Sequence, residues 1–195
     1  MAKRTPEQAE ETRAAILVAA RKLFTDQGFD ASISSIVAEV GITKGALFHH
    51  FENKQALYYE VWRDLQIRMD AAARKTAVSM RSQQDPYAAF LAGCKTYLQW
   101  SIRPDYQRIV LLDGPTALGL AGWYEADSDL GQKNVRRGID YLVSKGKIAP
   151  ERAPDAAVLI QGALNGAGFA LSRKEADISV DTIFATFEVM LRSMK

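Results

Sequence analysis

Gly41-Ile42-Thr43-Lys44-Gly45-Ala46-Leu47-Phe48-His49-His50-Phe51 is the stretch on which the fold turns. Gly41 interrupts a short apolar run, and the Thr43 hydroxyl can cap a new helix that begins at Lys44. In that helix Leu47 and Phe51, four apart, fall on one side and face inward, while Phe48 and His49 project outward. A glycine inside a helix costs about 0.8 to 1 kcal/mol relative to alanine. Packing therefore gives little reason for Gly45, and close backbone approach to a partner supplies one.

Upstream, Ser32 can cap a segment whose Ile33, Ile36, Val37 and Val40 fall at i, i+3, i+4 and i+7, two turns of amphipathic helix. Before that, Thr5-Pro6-Glu7-Gln8 combines a capping hydroxyl, a first-turn proline and a Gln three residues beyond the cap. Ile16, Ala20, Leu23 and Phe24 then form one apolar stripe and Gly28 offers a left-handed stop, so the spacing predicts a first helix over about 6–27. Downstream, Asn53 can cap a fourth helix running from Lys54 through Leu57, Val61, Leu65 and Arg68. Two short helices joined by a glycine turn have the outline of a helix-turn-helix. The second helix of that motif enters the DNA major groove N-terminal end first, where small or polar residues such as Lys44, Gly45 and Ala46 are needed.

Gly28-Phe29, Ile36-Val37-Ala38, the stretch 41–51 and Asn53-Lys54 resemble, in order and spacing, the TetR family of bacterial transcriptional regulators. The resemblance covers about positions 10–60, and the segment 108–115 is similar to the effector-binding domains of some members. It implies that Thr43 and Lys44 contact phosphate or base edges, that Gly45 and Ala46 lie close to the groove floor, and that His49 and Lys54 hold the DNA backbone. Ser32 and Phe48 complete the expected DNA-binding set, Phe48 standing where the family often has Tyr and so lacking a hydroxyl for a phosphate. It further implies a homodimer on an inverted-repeat operator of double-stranded DNA, while the single cysteine, unable to form an intramolecular disulfide, makes the cytoplasm the expected compartment.

The rest of the chain is compatible with that picture. Its 195 residues, 48% hydrophobic and 25% charged, fit one or two small globular domains, and the formal charge of +2 is too small to force nucleic-acid binding by itself. Residues 1–60 hold seven Lys and Arg against eight Asp and Glu, so any DNA contact depends on local placement: Lys3, Arg4 and Arg13 in or near an N-terminal arm, and Lys44, His49 and Lys54 around the recognition helix. The start of the sequence has no apolar signal-peptide core, and the longest weakly polar run, 156–171, includes Gln161 and Asn165 and is short of a bilayer crossing. No membrane association, metal or cofactor is expected. Both histidines lie inside the motif, and no Gly-rich phosphate loop or Ser nucleophile elbow is visible, so an enzyme is not expected.

From Pro86 onward the spacing predicts helices over about 87–102, 106–113, 130–144, 154–172 and 180–194. The fold class is all-α: a three-helix helix-turn-helix domain over 1–55, then a larger helical ligand-binding and dimerisation domain over 56–195. Eight aromatics lie between Asp85 and Lys145, five of them Tyr and two Trp, whose polar atoms want partners when buried. That composition suits a pocket for a small hydrophobic or aromatic effector, with Tyr97, Trp100, Asp113, Trp123, Tyr124 and Phe169 as its expected residues. The segment 113–123, with three glycines and a proline, is expected to act as a mobile gate. Cys94 shares a helix face with Phe90, Leu91, Tyr97 and Leu98 and reads as a small core or pocket residue. Small residues crowd the helix at 154–172 and, with Ile183, Phe187 and Met190, could supply half of an intermolecular four-helix bundle. The other reading of the same pattern is a helical adaptor that binds protein and has lost DNA contact, motivated by Phe48 and the acidic N-terminal region.

Overall fold

The caps read from the sequence form. In the computed structural model, which describes residues 5–81 and 84–194 and only the backbone of Asp129 and Leu130, α1 (Pro6–Gln27) starts at a reciprocal Thr5–Gln8 capping box. Ser32 caps α2 (Ile33–Val40) by accepting the Ser35 N–H at 3.0 Å. Thr43 caps α3 (Lys44–His50) through the Ala46 N–H at 3.2 Å, and Asn53 caps α4 (Lys54–Ser79) through the Ala56 N–H at 2.8 Å. Between α2 and α3 the chain turns at Gly41, whose φ of +73° is the left-handed conformation that an L side chain resists.

The second half is helical as expected, with two departures in local geometry. α5 (Ala88–Ser101), α8 (Lys133–Ser144), α9 (Ala153–Ser172) and α10 (Val180–Ser193) are ordinary helices. The segment Tyr106–Leu112, expected as plain α-helix, is instead wound in wide π-helical turns, and so is Ser128–Gln132 ahead of α8. A wide turn releases backbone carbonyls, and side chains capture them here: Tyr58 O–H donates to Ile109 O at 2.8 Å and Trp123 Nε1 to Val110 O at 2.9 Å.

The expected gate is helical as well. α6 (Gly114–Ala117) and α7 (Leu120–Asp127) are separated by a sharp turn at Gly119, φ +74°. Gly114 is buried, and a Cβ there would lie 3.1 Å from both the Ile109 carbonyl and the Trp123 ring. The glycine at the start of this segment serves close packing, and the chain turns only at Gly119.

Two apolar clusters organise the chain. One joins α1, α2 and α3 to the first half of α4 and continues into Tyr106, Ile109, Val110, Leu111 and Trp123, so the packing of the N-terminal region does not stop at residue 55. The other lies among α5, α8, α9 and α10 around Leu98, Ile139, Leu142, Ile160 and Leu191. α4 ties the two together, and α5 returns along it with Gly93 close to the Ala73 carbonyl. No helix among the described residues is long and apolar enough to cross a membrane.

Candidate functional site

The outward face of α3 is built by burying its other side. Leu47 is fully buried and Phe51 nearly so, which fixes the helix against the first core cluster. Thr43, Lys44, Gly45, Phe48 and His49 are exposed and Ala46 is half-buried, so they present the leading end and one flank of the helix to solvent. Thr43 uses a lone pair to cap and keeps its O–H free to donate. A Cβ added to Gly45 would meet only the Thr43 hydroxyl, 3.9 Å away. Nothing in the chain itself therefore requires glycine at that position.

The remaining expected DNA contacts are placed less simply. Ser32 is exposed beside α3 while capping α2. Lys54 holds its ammonium 4.7 Å over the Phe29 ring, a cation–π contact that anchors it at the start of α4. Arg13, expected in or near the N-terminal arm, is taken up internally: it pairs with Glu60 at 2.6 Å and lies 5.3 Å from the centre of the Phe51 ring. Lys3 and Arg4 lie outside the described residues.

The larger helical half forms a cavity of about 670 Å³, partly open to solvent, between α4, α5, α8 and α9. Phe90, Cys94, Tyr97 and Leu164 are among its apolar walls, Asp127 and Gln161 give it polar groups, and the exposed Arg74, Arg81 and Arg137 sit on its rim. Three glycines make room for these side chains. A Cβ at Gly131 would stand 2.6 Å from an Asp127 carboxylate oxygen, one at Gly168 2.6 Å from the Tyr97 hydroxyl, and one at Gly138 inside the Phe90 ring. Burial pushes the Cys94 thiol up to about 12, so it stays an unreactive thiol in the wall at neutral pH.

Of the six residues expected at the effector, only Tyr97 lines this cavity. The other five are engaged elsewhere. Trp123 is buried, donates to Val110 O and packs at 5.6 Å from Phe169 and 5.1 Å from the half-exposed Tyr124. Trp100 holds the Arg103 guanidinium 4.0 Å over its ring and meets Tyr106 edge-on. Asp113 accepts both the Phe29 backbone N–H at 2.9 Å and the Arg108 Nε at 3.0 Å, above Gly28, where any side chain would collide with that pair. These aromatics find backbone or ring partners within the chain, so their polar-aromatic composition does not by itself put them on the wall of this cavity.

Both halves of the chain match models of one family. A family model described as "Bacterial regulatory proteins, tetR family" matches residues 16–61, and one described as "Tetracyclin repressor-like, C-terminal domain" matches residues 87–194. The chain belongs to the TetR family. A solved TetR-family transcriptional regulator from Pectobacterium atrosepticum is 31% identical with a TM-score of 0.81, covering 98% of this chain and 97% of that one. The regulator AcrR of Shigella flexneri is 41% identical over 63 residues, 32% of this chain and 29% of that protein. TtgR of Pseudomonas putida is 37% identical over 87 residues, 44% of this chain and 40% of that protein. The match thus spans well under half the length of these curated relatives. The family is one of transcriptional regulators, not enzymes.

What sequence reasoning missed in this TetR-family chain is the polar connection between cavity and DNA-binding end. Gln161 Nε2 donates to Asp127 Oδ2 at 3.1 Å, Gln66 Nε2 donates to Asp127 Oδ1 at 3.0 Å, and Tyr106 O–H donates to Gln66 Oε1 at 2.5 Å. Tyr106 opens the wide-turn segment, and that segment leads through Arg108 and Asp113 to the Phe29 amide at the end of α1. Gln55 Nε2 adds a bond to Ala117 O at 2.8 Å. The one available signal was Gln161 and Asn165 inside an apolar helix, where unpaired polar groups are costly.

Proposed function

We propose that this TetR-family chain is a cytoplasmic, ligand-responsive repressor that binds an inverted-repeat operator as a homodimer and is released by a small, largely apolar effector. The observation that carries the DNA-binding half is Gly45: an exposed glycine whose added Cβ would meet nothing closer than the Thr43 hydroxyl at 3.9 Å, at the leading end of a helix whose other side is buried. In this reading Thr43, Lys44, Phe48 and His49 meet bases and phosphates, with Ser32 and Lys54 on the flanking backbone.

The dimer reading rests on the same kind of observation. Val158 and Leu159 of α9 are 73% and 62% exposed and Val189 of α10 is 70% exposed. Gly162 and Gly166 on the same helix are exposed and have nothing within 4 Å of an added Cβ. Two such faces can pack closely as an intermolecular four-helix bundle. A dimer so formed must hold its recognition helices about 34 to 36 Å apart to reach successive major grooves.

The cavity beside Tyr97 is where the effector would act. Occupying it would disturb the Asp127–Gln66–Tyr106 chain and, through Asp113 and Phe29, the pose of the helix-turn-helix; Trp100, Trp123, Tyr124 and Phe169 lie along the neighbouring packing. A coupling free energy of ~1–3 kcal/mol changes occupancy about 5- to 150-fold. Selection of bound fragments from random duplex DNA tests the reading. Enrichment of one inverted repeat is expected; no enriched sequence, or one still enriched by a Lys44→Ala, His49→Ala variant, would count against it.

A further inference from the structure

The cavity's interior and rim differ in sign. On the rim, Arg74 is already paired with Asp70 at 2.8 Å, Arg137 donates to Asn134 Oδ1 at 3.2 Å, and all three arginines are exposed, so solvent screens them. Inside, Asp127 is only 5% exposed, and its two oxygens receive the neutral amides of Gln66 and Gln161. Burial is the main influence on its carboxyl, which it pushes up to about 6 against the opposing Gln66 hydrogen bond, and no ion pair reaches it among the described residues. At neutral pH the carboxylate is thus ionised and largely out of water, held by two neutral amides with no cation paired to it among the described residues, an arrangement that a ligand cation would relieve. Gly131 holds the carboxylate against the wide turn of Ser128–Gln132, which keeps it at the cavity wall. The rings of Phe90, Tyr97 and Tyr141 also line the space, and aromatic faces attract cations.

We infer that the effector of this cavity is an organic cation: an apolar or aromatic body against Phe90, Tyr97 and Leu164, with a protonated amine seated on the Asp127 carboxylate. This rests on the proposal that the cavity receives the effector, and it names its chemical class. The amine competes with the Gln66 amide for the carboxylate. Gln66 is bonded to Tyr106, so arrival of the charge is felt at the segment that touches the DNA-binding end.

Three probes of one shape separate the possibilities on the full-length protein at pH 7.5 by calorimetry: biphenyl-4-ylmethanamine, biphenyl-4-ylmethanol and biphenyl-4-carboxylate. The amine is expected to bind at least about tenfold more tightly than the alcohol, a gap of ~1.4 kcal/mol, with the carboxylate weakest. Asp127→Asn should erase the amine's advantage and leave the alcohol within about threefold. A carboxylate that binds tightest, or an amine advantage that survives Asp127→Asn, overturns the inference while leaving the cavity in place. The wild-type ranking alone is decisive should the variant fail to fold. If all three probes bind, and bind equally well to Ala77→Phe, which fills the cavity, the cavity reading itself fails; if none binds, both fall.

Discussion

The glycines of α3 and those of the cavity are chemically alike and mean opposite things. A side chain at Gly45 would touch only the Thr43 hydroxyl, 3.9 Å from its Cβ, and Gly162 and Gly166 on α9 have nothing within 4 Å. Gly131, Gly138 and Gly168 are crowded by Asp127, Phe90 and Tyr97 of the same chain. A glycine crowded from within records internal architecture, since substitution would force overpacking. A helical glycine with empty surroundings bears a propensity cost that its own fold does not recover, and so points outward to a partner. That difference supports the proposal that the outward face of α3 and the α9–α10 face meet other molecules, while the cavity is shaped by the chain around its own carboxylate.

The contrast can be broken at four places. The largest effect is expected from Leu159→Glu: sedimentation at micromolar concentration should show a monomer, operator affinity should fall at least about a hundredfold, and the unfolding midpoint should lose its dependence on protein concentration.

Next is Asp127. Its carboxyl lies near 3.8 when unfolded and about 6 in the folded chain, so the native state binds the proton more tightly and wild-type stability falls as pH rises through that window. The stability of Asp127→Asn relative to wild type, followed by urea unfolding, should therefore improve by about 2 kcal/mol between pH 4.5 and 7.5. A flat difference would mean the carboxylate is not uncompensated. Lys44→Ala should weaken operator binding about tenfold and lower the salt slope by about one, leaving thermal stability unchanged. Phe48→Tyr restores a hydroxyl on the exposed flank and should tighten binding about threefold in a gel-shift titration.

The two regions were also unequally legible. α1 to α4 could be read because their signals are local: Thr5, Ser32, Thr43 and Asn53 each cap the helix that begins one residue later, and Leu47 and Phe51 mark the buried side of α3. The cavity could not be read in the same way. Gln66, Tyr106, Asp127 and Gln161 come from four elements and meet only through tertiary packing, and no spacing rule announces a wide turn at Tyr106–Leu112 or Ser128–Gln132. Trp123 looked like a ligand contact because its polar atom needs a partner, and Asp113 because the segment 108–115 resembles effector-binding domains; the structure gives them Val110 O and the Phe29 N–H.

The claim beneath all of this is that Gly45 is there for DNA and not for the fold. Gly45→Ala, measured in one preparation for unfolding free energy and for operator affinity, tests it directly. Stability should rise, by at most about 1 kcal/mol because Gly45 lies in the first turn, while affinity drops about fivefold, the two moving in opposite directions. Unchanged affinity, or stability and affinity falling together, would contradict the account.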